Sequence, residues 1–212
     1  MPGRRESFAE RRARRAEVDD PAVVFEAAIR FLETRSRSIA EVRRRLGSAG
    51  YRLDLVESAV TRLTDLGVLD DDAFARAWVG SRDRARPRGE RALRDELRQK
   101  GIAGPTIEVV LGDRRSGADD LADAEPRGRS RADGRTTPDA AAAERLIARH
   151  RAALARVADP RQRRQRAYAL LARNGFDPDI ASSLAARIAH DEADDPGLDV
   201  GRDRGGGDEP VA

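Results

Sequence analysis

A six-residue pattern of leucine, three variable residues, glycine and an apolar residue occurs three times in the chain, at 46–51, 97–102 and 171–176. Glycine shortly after an apolar helical position is typical of a helix end, because glycine adopts the left-handed conformation without steric cost. Recurrence of such a helical unit predicts a tandem array whose units bury their apolar faces on their neighbours.

The spacing of the glycines indicates where the array is interrupted. Gly50 and Gly101 are 51 residues apart, whereas Gly101 and Gly175 are 74 residues apart. Most of the excess falls in 113–138, where Leu121 is the only large apolar residue. A segment with so few apolar groups cannot offset the entropy lost on ordering, so we expect a disordered linker there.

Helix-start signals occur in each unit: the Ser38–Glu41 capping box, the aspartates at 70–72 and the pair Asp159-Pro160. The last helix of the second unit is predicted at 105–111. No segment alternates apolar and polar residues between turns, so no strand is predicted and the fold class is all-α.

These boundaries divide the chain into six segments. We expect a basic flexible leader at 1–20, helical repeats at 21–69 and 70–112, a disordered linker at 113–138, a third helical repeat at 139–190, and an acidic, glycine-rich disordered tail at 191–212.

The composition excludes several classes of protein. Among 212 residues there is no cysteine, which excludes disulfides, thiolate metal sites and cysteine nucleophiles. No apolar run approaches the roughly 18 residues of a membrane span, and the arginine-rich segment 1–16 lacks the apolar core of a secretory signal. We therefore expect a cytoplasmic protein.

The side chains that usually carry catalysis have simpler roles here. His150 lies on an apolar stripe and His190 at a helix end, which predicts a partly buried histidine and a helix-end cation rather than catalytic groups. The aspartates at 70–72 could bind a divalent cation, but helix capping explains them without one. No phosphate-binding glycine loop is present. The sequence predicts no enzyme, metal or cofactor.

The positive charges recur at the same place in each unit, although the net charge is only +3 and Lys100 is the only lysine. An arginine-biased proteome would also produce solvated arginines, yet recurrence by position favours a functional surface for carboxylates or phosphates. Trp78 and Phe74 are expected in the core. The candidate contact residues are Arg35, Arg37, Arg82, Arg84, Arg86, Arg88, Arg91, Arg94, Arg98, Lys100, Arg163, Arg164 and Arg166.

With these residues assembled, the chain resembles the regulatory protein RecX family over 31–111, and more weakly over 140–188. The resemblance rests on Phe31-Leu32-x-x-Arg35-x-Arg37-Ser38-x-x-Glu41, Leu63-x-x-Leu66-Gly67-x-Leu69-Asp70-Asp71, Phe74-Ala75-x-x-Trp78-Val79-x-x-Arg82 and Gly89-x-x-x-Leu93-x-x-x-Leu97-x-x-Lys100-Gly101-Ile102.

The resemblance implies an elongated, curved array of three three-helix repeats. It also implies a monomer that lies in the groove of the RecA filament, binds DNA weakly, and inhibits strand exchange and ATP hydrolysis. Recombination, DNA repair and the SOS response are the processes it implies. The long insertion, the basic leader and the acidic tail depart from the family pattern.

Two other classes of function remain open on the residues alone. Paired short helices with glycine turns can also form a stand-alone DNA-binding module or transcriptional regulator, which would show a base preference without RecA. The third possibility is a helical scaffold for a different partner.

Overall fold

The computed structural model describes residues 6–122 and 137–190, which form ten helices and no strand. The helices are α1 Phe8–Ala16, α2 Pro21–Leu32, α3 Ile39–Ala49, α4 Leu53–Asp65, α5 Asp71–Ala85, α6 Glu90–Gln99, α7 Gly104–Ala122, α8 Pro138–Ala155, α9 Pro160–Arg173 and α10 Pro178–His190. The predicted all-α fold class is confirmed. No helix in these stretches is long and apolar enough to cross a membrane.

Three repeats follow one another, formed by α2–α4, α5–α7 and α8–α10, and each has its own hydrophobic core. The cores are centred on Val42 and Leu63, on Leu97 and Leu111, and on Leu171 and Ala185. Apolar burial therefore stabilises each repeat from within. The sequence predicts that the repeats bury their apolar faces on one another, but the structure shows a separate core in each repeat. Other contacts must therefore fix the repeats relative to one another.

The leucine–glycine pattern ends the central helix of each repeat, as predicted. Gly50, Gly101 and Gly175 have positive φ angles of 105°, 81° and 77°. The amide after each glycine donates to the carbonyl of the pattern leucine, over 3.3, 3.1 and 3.3 Å. These are the reversed hydrogen bonds of the Schellman motif, and they fix where each central helix stops.

The central helices meet end to end at two joints. At the first joint, Ser38 Oγ at the start of α3 donates to the carbonyl of Lys100 at the end of α6, over 2.6 Å. At the second joint, the amide of Gly89 at the start of α6 donates to the carbonyl of Asn174 at the end of α9, over 3.0 Å. Each repeat thus caps a helix end of its neighbour.

A carboxylate from the following repeat completes each joint. Asp71 Oδ1 accepts the amide of Ile39 over 2.9 Å, and Asp139 Oδ2 accepts the amide of Glu90 over 2.9 Å. Burial raises the pKa of Asp71 despite that hydrogen bond. Asp70 is the true N-cap of α5, so the predicted capping role holds for it, while Asp71 serves the neighbouring repeat.

Residues 8–16 of the predicted flexible leader form α1. A capping box of Ser7 and Glu10 starts this helix. Arg15 donates to the carbonyl of Ala49 over 3.4 Å, and a Cβ on Gly50 would lie 2.6 Å from the backbone oxygen of Arg12. α1 therefore covers the end of α3, as a preceding repeat would.

α7 extends into the predicted linker, because it continues from Gly104 to Ala122 instead of ending near Leu111. Ion pairs hold the extra turns. Arg114, with 7% of its side chain exposed, pairs with Asp83 at 2.9 Å and with Asp139 at 2.5 Å. It ties the second repeat to the third. The remaining linker residues, 123–136, and the tail, 191–212, lie outside the described residues.

Glycine-to-alanine substitutions separate two requirements of a joint, which are a positive φ angle and room for the neighbouring helix. In Gly175→Ala, the alanine must adopt the positive φ angle of the glycine, and its Cβ would lie 2.5 Å from the amide nitrogen of Ala92. We expect it to lower the free energy of unfolding by more than the roughly 1–2 kcal/mol of left-handed strain alone. Urea unfolding followed by circular dichroism measures this.

Two glycines serve as controls for that substitution. Gly67 has a φ of 67° with no neighbouring atom within 4 Å, so Gly67→Ala should show the strain alone. Gly47 lies inside α3 with open space around it, so Gly47→Ala should be neutral or stabilising by roughly 0.5–1 kcal/mol. Equal losses for Gly175→Ala and Gly67→Ala would contradict the close packing of the joint.

Asp71→Asn tests the carboxylate of the first joint. Because its pKa is raised in the folded protein, Asp71 contributes stability that is complete below its unfolded pKa of about 3.9 and lost as pH rises through the folded pKa. Asn keeps the acceptor for Ile39 without the charge, so the variant should match or exceed the parent at pH 7. Asp71→Ala removes the acceptor and should cost about 1–3 kcal/mol. A less stable Asn variant at pH 7 would refute this account.

Candidate functional site

The only tryptophan, Trp78, lies half-buried on α5 and organises a polar surface. Its ring stacks on Phe74 one turn earlier, with centroids 5.9 Å apart. Its indole Nε1–H donates to Glu96 Oε2 of α6 over 2.8 Å. Phe74 is in the core as predicted, with 7% exposed, whereas Trp78 presents one ring face to charged groups.

Two cations lie over Trp78. The Arg82 guanidinium is 4.4 Å from the ring centroid and the Lys100 ammonium is 4.7 Å from it. A cation is attracted to the negative face of an aromatic ring, most strongly with tryptophan. Arg82 Nε also donates to Glu96 over 2.6 Å, so the indole and the guanidinium share one carboxylate oxygen.

The charges continue from Trp78 across both joints. Lys100 Nζ reaches Glu41 of the first repeat over 2.8 Å, and Arg35 pairs with the same carboxylate at 3.4 Å. On the other side, Arg88 pairs with Glu96 at 3.4 Å and donates to Asn174 Oδ1 of the third repeat over 2.6 Å.

We call this continuous surface the Trp78 strip. It consists of Arg35, Glu41, Trp78, Arg82, Arg88, Glu96 and Lys100. Four cations face two carboxylates, so the strip keeps two positive charges that no internal carboxylate balances. Such a surface can accept carboxylates or phosphates from a partner.

Glu41 stays ionised within the strip. Burial of its side chain opposes ionisation, but the hydrogen bonds from Lys100 and from the Ser38 amide, with the charges of Lys100 and Arg35, outweigh it. The pKa of Glu41 is therefore lower than its ordinary value. At neutral pH this carboxylate holds Lys100 in place over the indole.

Three predicted contact residues lie on another face of α6. Arg94 and Glu96 are two residues apart, which at about 100° per residue places them about 160° apart around the helix. Arg94 pairs with Glu90 at 2.8 Å and with Glu108 at 2.9 Å. Arg98 pairs with Asp95 at 3.5 Å, and Arg91 is exposed on the same side.

The other predicted contact residues are scattered. Arg37 lies over the Phe31 ring at 4.3 Å, and Arg84 and Arg86 are exposed at the end of α5. Arg163 is buried, with 6% exposed, and its Nε donates to the carbonyl of Val157 over 3.0 Å, so it is a structural residue. Arg164 and Arg166 are exposed. The thirteen residues therefore do not form one surface.

Sequence reasoning missed the two carboxylates of the strip. Glu96 and Lys100 share the i, i+4 spacing, as do Trp78 and Arg82, and this spacing was the available signal. The prediction for His150 is wrong, because its side chain is exposed near the end of α8. Among the described residues, no group of three acidic or histidine side chains could hold a metal ion.

Lys100→Met should reveal the link between the strip and stability. Because the pKa of Glu41 is lowered in the folded protein, its contribution to folding stability is present above its unfolded pKa and is lost as pH falls through its folded pKa. We expect a loss of about 1.5–3 kcal/mol at pH 7, which shrinks below pH 4, from urea unfolding at each pH.

Arg30→Met is the matched control, because Arg30 and Glu26 form an exposed pair at 3.0 Å on α2. Exposed pairs are screened by water, so this variant should hardly change unfolding. A loss for Lys100→Met that did not depend on pH would show that its pairing with Glu41 contributes little.

Comparison with known families identifies two segments. Residues 25–63 match the family model described as "RecX, first three-helix domain", and residues 70–111 match "RecX, second three-helix domain". These segments correspond to the first two repeats of the structure. All seven residues of the Trp78 strip lie in these two segments.

Curated relatives agree with these matches. The chain is 39% identical over 103 residues to "Regulatory protein RecX" of Chlorobium phaeobacteroides, which covers 49% of this chain and 68% of that protein. It is 38% identical over 91 residues to "Regulatory protein RecX" of Mycolicibacterium vanbaalenii, covering 43% of this chain and 50% of that protein. The alignments thus span about half to two thirds of these relatives.

Solved structures share the fold. "Crystal structure of RecX from Lactobacillus salivarius" aligns with a TM-score of 0.57 at 20% identity, covering 80% of this chain and 97% of that one. "Crystal structure of regulatory protein RecX" aligns with a TM-score of 0.52 at 19% identity, covering 82% and 70%. These alignments include more of the chain than the two family segments.

Proposed function

Because this chain belongs to the RecX family of regulatory proteins, we propose that it binds the RecA nucleoprotein filament and inhibits its recombinase and ATPase activities. It would do so as a monomer without catalysing a reaction, in the cytoplasm, with DNA as a weaker second partner. Its place would be in recombination, DNA repair and the SOS response.

The Trp78 strip is the observation that carries this proposal. Its residues span the first two repeats, because Lys100 reaches back to Glu41, and Arg88 contacts Asn174 of the third repeat. A filament presents the same subunit surface again and again along its axis. A long surface built from repeated units suits contact with several subunits at once, each contact adding to the next.

The two residual positive charges of the strip favour an acidic partner. Arg82 and Glu96 are 23% and 20% exposed, so a partner can reach them while water is partly excluded. Acidic side chains on a filament subunit would pair with Arg35 and Arg82 in the same way that Glu41 and Glu96 do. Partly desolvated pairs of this kind give specificity and orientation.

Inhibition requires no chemistry from the bound regulator. A ligand shifts an equilibrium only by its difference in affinity for the two states. A protein lying along several subunits binds best when they keep one spacing and one nucleotide state. It therefore opposes the changes in state that accompany ATP hydrolysis and strand exchange.

The double variant Arg35→Gln/Arg82→Gln tests the proposal. Both arginines pair with carboxylates of their own repeats, so both joints keep their hydrogen bonds. We expect the concentration that half-inhibits the DNA-dependent ATPase of RecA from the same organism to rise about tenfold or more, which corresponds to about 1.4 kcal/mol of binding energy.

Arg91→Gln/Arg98→Gln is the matched control, because it removes two charges from the other face of α6. It should inhibit like the parent. Filament binding followed by co-sedimentation reports the interaction independently of ATPase activity. Equal losses in both double variants, or a parent that neither binds nor inhibits, would overturn the proposal.

A further inference from the structure

The end of α8, the turn after it and the start of α9 form a one-sided cluster of positive charge. Residues 149–164, which we call the basic corner, contain six arginines and a single acid, Asp159. Asp159 is the N-cap of α9, and its side chain accepts a hydrogen bond from the amide of Arg161 over 2.9 Å.

Four arginines of the basic corner point into solvent. Arg151, Arg156, Arg161 and Arg164 are exposed, and none forms an ion pair within the described residues. The Trp78 strip differs, because every cation there has a carboxylate partner. Within the described residues, these four charges of the basic corner are therefore not neutralised by a carboxylate.

The other two arginines hold the basic corner in shape. Arg163 Nε donates to the carbonyl of Val157 and fixes the turn between the two helices. Arg149 donates to the carbonyls of Arg84 and Ala85 at the end of α5, so the basic corner is anchored on the second repeat. Its exposed guanidinium groups thus project from an ordered base.

The position of the basic corner in the array leaves it accessible. The starts of α3 and α6 are covered by the following repeat, through contacts of Ser38 and Gly89. Within the part of the chain that the structure describes, the start of α9 has no such cover, since residues 158–162 are all exposed.

Its composition distinguishes between two kinds of partner. No large hydrophobic side chain is exposed between residues 149 and 164. Protein interfaces usually centre on apolar or aromatic anchors, whereas contacts to a nucleic-acid backbone are dominated by cations alone. An acidic protein surface is thus the weaker fit.

We propose that the basic corner binds the phosphate backbone of DNA without reading base sequence. Arg156, Arg161 and Arg164 supply planar donor groups that suit phosphate oxygens. This deepens the proposed function by giving the third repeat its own ligand, the DNA that a RecA filament carries. It is measured without RecA, so its failure is separate from failure of filament inhibition.

The test is fluorescence anisotropy of the full chain with labelled single-stranded DNA of 30 thymines, over a range of salt concentrations. The triple variant Arg156→Gln/Arg161→Gln/Arg164→Gln should bind at least about tenfold more weakly at low salt. The slope of log affinity against log salt should fall by about 2, since each lost phosphate contact removes about 0.7 on single strands.

Arg30→Gln/Arg44→Gln/Arg62→Gln is the matched control, removing three exposed arginines of the first repeat. It should bind like the parent, and mixed-sequence single strands and duplexes should bind without base preference. Circular dichroism checks that both triple variants are folded. Equal weakening in the two variants, a parent that does not bind at low salt, tight binding to one base sequence, or binding to polyglutamate in preference to DNA would each overturn the proposal.

Discussion

The end-to-end contact of the central helices determines how the three repeats are arranged. At each joint the negative end of one helix meets the positive end of another, and a carbonyl of the first accepts a hydrogen bond from the cap of the second. The approach is possible because Gly101 and Gly175 have no side chain to strike Ala40 and Ala92. Since each repeat has a separate apolar core, these polar joints, with Arg114, set the geometry of the array.

The Trp78 strip inherits its continuity from these joints. The carbonyl of Lys100 accepts the hydrogen bond of the first joint, while its ammonium group belongs to the strip. At the second joint, the carbonyl of Asn174 accepts from Gly89, while its side chain accepts from Arg88 of the strip. A partner that draws Lys100 away from Glu41 therefore acts on the contact between the first two repeats. Binding at the strip and the angle between repeats are coupled through the same residues.

Local signals in the sequence predict the helices well, because each depends on neighbours in the chain. The Ser38 capping box, the Asp159 cap and the stops at Gly50, Gly101 and Gly175 are all found. Two arginines were misplaced because the local pattern does not show their partners. Arg114 resembles a linker residue until Asp83 and Asp139 are placed beside it, and Arg163 resembles a surface cation until it folds onto Val157. Residue type shows neither burial nor partner.

The distinction between paired and unpaired arginines explains how one arginine-rich chain can hold two unlike surfaces. Arg82 is held against Glu96 and the indole of Trp78, in a partly dry setting where screening by salt is weak. Arg161 and Arg164 are exposed and have no ion-pair partner within residues 6–122 and 137–190, and the attraction of such charges is long-ranged at low salt and strongly screened at high salt. The first arrangement favours fixed, geometric contact with a protein. The second favours a mobile contact with a polyanion, and the two can act together because they lie on different repeats of one array.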